Sequence, residues 1–197
     1  MVKMDLWKPY RKAAVGEYGG ARLLLSTGER KYTSLNMVND RGLWLDHGKG
    51  LVRYYDEGNR YVLAKDINHD LLITIYEVNT GVALIIRISR DIVLSDWTKI
   101  EKVLGSWKGP NIEIRVLGFQ NLDSWAPSIM EEIKRHVKGK LMEADLYGTD
   151  LRHIAFDLKT GVMYNLLLEN RIYRAGELAC KVTKEEFDKT RSDLALM

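Results

Sequence analysis

Asp70-Leu-Leu-Ile-Thr-Ile-Tyr-Glu77-Val-Asn-Thr-Gly81-Val82 and Asp150-Leu-Arg-His-Ile-Ala-Phe-Asp157-Leu-Lys-Thr-Gly161-Val162 decide how this chain is read. Each places an acid seven residues after an aspartate, and a Thr-Gly pair then leads into a second apolar run. Glycine accepts the left-handed backbone that tight turns use, so each stretch predicts strand, turn, strand. Identity at five of thirteen aligned positions (Asp, Leu, Thr, Gly, Val) fits shared turn chemistry as well as an internal duplication.

Working outward, residues 21–89 predict an antiparallel meander. Leu23-Leu24-Leu25, the alternation over 30–37 and the short runs at 43–45, 51–55 and 60–64 are separated by turn material such as His47-Gly-Lys-Gly50 and Asp56-Glu-Gly-Asn59. The period then changes. Ser95 caps a predicted helix to about residue 104, and a strand follows over 112–119. A second helix falls near 124–138, where Ser128 and Glu131 match a capping box. Strands are predicted at 141–147, 151–158 and 162–168, with one more near 171–173. A last charged helix opens at Thr183 with Glu186. The expected fold class is therefore α+β: mainly an antiparallel β meander with hairpins, packed with about three helices. No composition break marks a hinge, so 1–197 is expected as one domain, with a subdivision near residue 90 as the alternative.

Lys and Arg exceed Asp and Glu by only three, which permits contact with a polyanion without demanding it. Cys180 is the lone cysteine, so no internal disulfide can form. The charged start and the lack of a long apolar run predict a soluble, intracellular and cytoplasmic protein. Gln120 is the only glutamine. Scarce amides beside many charges give a thermophile-like composition.

Several chemistries lack their residues. His47, His69, His136 and His153 have no zinc spacing. No nucleophile elbow or Cys-His signature is present. Gly16-x-x-Gly19-Gly20 and Gly48-Lys49-Gly50 have neither the Walker pattern nor a dinucleotide fingerprint.

Two constellations carry chemistry. The first centres on the second Thr-Gly hairpin. Asp145 or Asp150, with Asp157 and the helical Glu132 or Glu131, would supply oxygen ligands for Mg²⁺, and Lys159 shares a strand face with Asp157. Over residues 131–161 this arrangement resembles the PD-(D/E)xK nuclease pattern. The resemblance implies a metal-dependent phosphodiesterase in which Asp145, Asp150, Asp157 and Glu132 hold the ion and Lys159 orients the attacking water. It departs from that pattern in lacking a proline before the upstream Asp and in continuing past Lys159 as a strand. An exposed hairpin face with a cross-strand ion pair explains the same residues.

The second constellation alternates rings with cations: Lys8, Tyr10 and Arg11 near the start, then Arg53, Tyr55 and Arg60 on predicted strands. Such a surface stacks bases and holds phosphates, and equally suits a protein interface. The expected function is a nucleic-acid-associated protein, with a metal-dependent phosphodiesterase or nuclease as its catalytic form. The alternative is a non-catalytic interaction or self-assembly module, a homo-oligomer with no membrane partner.

Overall fold

A computed structural model describes residues 22–88, 111–119, 125–148 and 150–168, together with Trp7, Lys102 and Trp107. The described chain is mostly β, in two sheets of mixed strand orientation, with two short helices. In order they are β1 (Leu23–Ser26), β2 (Lys31–Ser34), α1 (Leu35–Val38), a 3₁₀ turn (Asn39–Arg41), β3 (Gly42–Trp44), β4 (Gly50–Tyr54), β5 (Tyr61–Ile67), β6 (Leu71–Glu77), β7 (Val82–Ile88), β8 (Ile112–Gly118), α2 (Trp125–His136), β9 (Lys140–Leu146), β10 (Arg152–Asp157) and β11 (Val162–Leu167).

One sheet runs β1-β9-β8-β6-β7-β4 and the other β2-β11-β10-β5-β3. Both contain strands from either side of residue 90. Leu71 to Tyr76 and Ile112 to Gly118 are buried throughout, because β6 and β8 lie mid-sheet with both faces covered. Their odd-side residues Leu71, Ile73 and Ile75 meet Ile129, Met130, Ile133 and Val137 of the α2 region. Leu72 and Tyr76 face the second sheet, against Val62, Ala64, Ile154 and Phe156. Beyond that sheet Val38 of α1 packs on Leu63, Ala155 and Leu166. The molecule is thus layered: helix, six-stranded sheet, five-stranded sheet, and a helical turn.

The expected antiparallel meander with about three helices is corrected by this arrangement. β8 and β9, β2 and β11, and β3 and β5 pair in parallel. The helix between β8 and β9 returns the chain to the same end of the sheet, which is what a parallel neighbour requires. The alternating stretch over 30–37 does not continue as a strand either. It breaks after Ser34 into α1, where burying Val38 outweighs local β preference. The helices expected from Ser95 and Thr183, and a strand near 171–173, lie outside the described residues. Both Thr-Gly hairpins form, β6–β7 in one sheet and β10–β11 in the other.

Candidate functional site

Between the sheets the core is apolar on one side and ionic on the other. The ionic side originates in a β-bulge. Ile114 pairs with Leu141 but Arg115 pairs with Glu143, so Met142 is an extra residue. Strict alternation from Leu141 would turn Glu143 toward α2. The bulge instead aligns Glu143 and Asp145 with Arg115, facing the second sheet.

Asp145 is fully buried and receives three guanidiniums. Arg22, just before β1, donates from Nε and Nη2 at 2.7 Å each. Arg152, the first residue of β10, donates from Nε at 2.9 Å, and Arg30 from Nη2 at 3.2 Å. Arg30 also holds Glu143 through Nε at 3.0 Å and, through Nη1, the side-chain amide oxygen of Asn165 on β11 at 2.8 Å. Burial pushes the Asp145 carboxyl up, but the Arg22 hydrogen bonds and the Arg30 and Arg152 charges win, leaving it well below the usual carboxylate range. Arg152 is shifted down instead, by burial and by the like charges of Arg22 and Arg30, which Asp145 does not offset.

Two recesses open onto this cluster at the β1–β2 edge, about 380 Å³ and about 200 Å³. They share Ser26, Gly28, Glu29, Arg30 and Glu143. Arg115 lines the smaller one, gives Nη2 to Glu113 at 2.8 Å and stands 6.0 Å from the Phe156 ring centroid.

A third recess, about 440 Å³, lies where the two Thr-Gly turns meet. The turns share one chemistry. Glu77 accepts the amides of Asn79 and Thr80, and Asp157 accepts that of Lys159. Gly81 and Gly161 close onto the carbonyls of those same acids. Tyr76 bridges the sheets here, edge-on to Phe156 and donating to the Leu158 carbonyl at 3.4 Å. Tyr54, Tyr55, Asn79 and Lys159 line the recess, and the Lys159 ammonium sits 5.4 Å from the Tyr55 ring centroid.

The metal constellation expected from the sequence is not brought together. Asp145 lies beside Arg152 at the start of β10 and Asp157 at its end, roughly 16 Å along the strand at ~3.3 Å per residue. Asp157 is buried and engaged by Arg60 through Nε at 3.2 Å and Nη2 at 2.9 Å. Burial raises its carboxyl, and the Arg60 bonds with the Lys159 amide bring it below its ordinary value. Glu132 pairs with Arg135 and His136 on α2. The Asp150 side chain is 69% exposed and meets Arg22 at 3.5 Å. A divalent ion at Asp145 would have to displace guanidiniums from both carboxylate oxygens. Among the described residues no three His, Cys, Asp or Glu side chains converge as ligands.

Of the ring-and-cation residues, Arg53 and Tyr55 lie at the β4 end and Arg60 is tied to Asp157. Lys8, Tyr10 and Arg11 are outside the described residues, while neighbouring Trp7 is buried and donates to the Gly139 carbonyl at 3.1 Å.

Arg22, Arg30, Arg115, Arg152 and Glu143 were not singled out by the sequence. Their signal was Glu113-x-Arg115 and Glu143-x-Asp145 inside apolar runs. Charge at every second position there reads as a solvated face, whereas it marks an interior one.

No protein-family model matches the chain, and no curated protein is similar enough to count as a relative. A layered β fold by itself says little about function, which resides in the side chains of its recesses. Among the described residues no helix is long and apolar enough to cross a membrane.

Proposed function

We propose that the protein is nucleic-acid-associated and holds a single strand at the recess between the Thr-Gly turns, by binding rather than cleavage. The observation that carries this is the grouping of Tyr54, Tyr55 and the Lys159 ammonium around one open recess. Tyr54 is 65% exposed, so its ring offers a stacking face. Arg53 is exposed on the same strand but on its other face, outside the lining of this recess. Base stacking on an aromatic ring contributes about 1–3 kcal/mol, and single-strand affinity falls with salt as phosphates are neutralised. With Lys159 as the phosphate contact, log affinity against log salt should slope at about −0.7.

Fluorescence anisotropy of labelled oligo-dT and oligo-rU over a salt series tests this. Tyr54→Ala and Lys159→Ala, both at exposed positions, should each weaken binding about fivefold or more. A salt-independent signal, or affinity unchanged in both variants, rules the site out. Plasmid incubated with Mg²⁺ or Mn²⁺ should remain intact. Metal-dependent cutting that Asp157→Ala abolishes would instead support the phosphodiesterase form.

One observation favours self-assembly as a second reading. Among the described residues β4 ends its sheet, pairing only with β7, and it exposes Val52 and Tyr54. An unpaired edge of this kind accepts another strand. Light scattering distinguishes the two, because a monomer at all concentrations removes edge pairing and leaves oligonucleotide binding untouched.

A further inference from the structure

Among the described residues β1 and β2 each lie at the edge of their sheet, and the larger recess opens between them. Residues paired across strands project from the same face of a sheet. Leu24 of β1 is paired with Asp145, and Tyr32 of β2 with Asn165, so both side chains turn inward beside the ionic cluster. Leu24 is 37% exposed and Tyr32 is half-buried. They wall a slot, one from each sheet. Its volume of about 380 Å³ falls within the about 300–1,000 Å³ of small-molecule sites.

Most polar groups at the base of the slot are spent. All three nitrogens of Arg22 donate to Asp145 or Asp150, and all three of Arg30 to Glu143, Asp145 or Asn165. Each Asp145 oxygen takes two guanidinium bonds. Two side-chain valences remain. Arg30 engages only Oε1 of Glu143, and no donor among the described residues reaches Oε2. Glu143 is 5% exposed, yet Oε2 is not among the sealed, unpartnered atoms, so it opens into the recess that this side chain lines. A guanidinium can only donate, so the Asn165 amide turns its oxygen to Arg30. That leaves Asn165 Nδ2 as a donor at the slot, unpartnered among the described residues.

This base selects its ligand. A phosphate or carboxylate would meet the Glu143 charge while both guanidiniums are committed. An ammonium would meet Arg22 and Arg30. A sugar would bring a rim of hydroxyls to two open valences and leave the rest unpaired, which costs affinity. A flat heterocycle with an N–H beside a ring acceptor uses both valences on one edge and lays its faces against Leu24 and Tyr32.

We propose that the slot between β1 and β2 binds a nucleobase edge-on, its N–H donating to Glu143 Oε2 and its adjacent acceptor receiving Asn165 Nδ2. The slot shares no lining residue with the recess between the Thr-Gly turns, so it stands or falls separately from the strand-binding proposal.

Isothermal titration with adenosine and with uridine tests it. Each should bind once per chain. Derivatives methylated at the edge N–H (both hydrogens of the adenine amine, or the uracil ring nitrogen) should bind at least tenfold more weakly. Asn165→Asp keeps an oxygen on Arg30 but turns the donor into an acceptor, and Leu24→Trp fills the slot from an exposed position. Each should weaken binding at least tenfold while unfolding stays cooperative, and Tyr54→Ala should bind as the unaltered protein does. Should Asn165→Asp not fold, the methylated nucleosides decide. Displacement of uridine by oligo-dT assigns the slot to a base within a strand, and lack of displacement to a free nucleoside; either upholds it. Absence of heat with both nucleosides overturns the proposal. So does equal binding of the methylated forms, or binding that Tyr54→Ala abolishes.

Discussion

At Asp145 one fully buried carboxylate neutralises parts of three guanidiniums, from β1's approach, the β1–β2 connection and β10. Asp145→Asn keeps the shape and removes the charge, leaving Arg22, Arg30 and Arg152 facing one another. Breaking a buried ion pair from one side costs about 3–5 kcal/mol. Urea unfolding should register that loss with little change in slope. Glu132→Gln, which removes only helix-surface pairs, should cost under about 0.5 kcal/mol. A loss below about 1 kcal/mol at Asp145 would mean that water reaches the cluster and shields it. The sequence offered Asp145, or Asp150, as a metal-binding acid, and gave no sign of the three arginines that Asp145 meets. Which way Glu143 and Asp145 point depends on the extra residue Met142, and a bulge leaves no local mark in a run of mixed apolar and charged residues. Asp157 and Lys159 fall on one hairpin, but β10 ends at Asp157 and Lys159 sits in the turn, not on a strand face beside it. The aspartate's oxygens, however, are spent on Arg60 and on the turn amide, and the lysine turns to Tyr55.

At the scale of the hairpins, the two Thr-Gly turns look alike in sequence and differ in surroundings. Gly81 and Gly161 have φ of +69° and +67°, so either alanine costs about 1–2 kcal/mol from the left-handed backbone alone. A Cβ at Gly81 would come no nearer than 3.8 Å to Tyr76 Oη, which is ordinary van der Waals contact. At Gly161 it would fall 2.4 Å from the Tyr76 ring, which is packed between the sheets against Phe156. Gly161→Ala should therefore destabilise by clearly more than Gly81→Ala, with the excess relieved in a Gly161→Ala/Tyr76→Leu double variant. Thermal unfolding of the four proteins measures it, and equal losses at the two glycines would show that the second sheet yields freely. The hairpins were legible because their turn chemistry is local. So was α2, whose apolar residues recur at helical spacing and whose last turn carries Lys134, Arg135 and His136. β2 and β3 were harder. Each is short, and each owes its place to a parallel partner far along the chain, Tyr164 to Leu167 for β2 and Tyr61 to Leu63 for β3.

For the whole molecule, division into two sheets was the part that strand-by-strand reading missed. A meander is what successive short strands suggest, yet β4, β5 and β6 alternate between sheets, and no residue at their turns announces the crossing. The division matters because charges join the two layers: Asp145 of one sheet meets Arg152 of the other, and Arg30 bridges Glu143 and Asn165. Acid should therefore loosen the sandwich. Asp145 and Asp157 both have carboxyls held below their ordinary values. The unfolded chain takes up these protons near pH 4, and the folded chain only further into acid. Their contribution is thus complete above about pH 5 and is lost as pH falls below about 4 toward the folded values. Between the unfolded value and the folded one of Asp145, stability should fall by up to about 1.4 kcal/mol per pH unit from that carboxyl, with a further contribution of the same sign from Asp157. Asp145→Asn removes the larger of the two contributions and should flatten that slope while lowering the plateau at neutral pH. Calorimetry between pH 7 and 2.5 reads both effects. A Tm unchanged between pH 6 and 3 would mean that the carboxylates between the layers are hydrated rather than locked in their ion pairs.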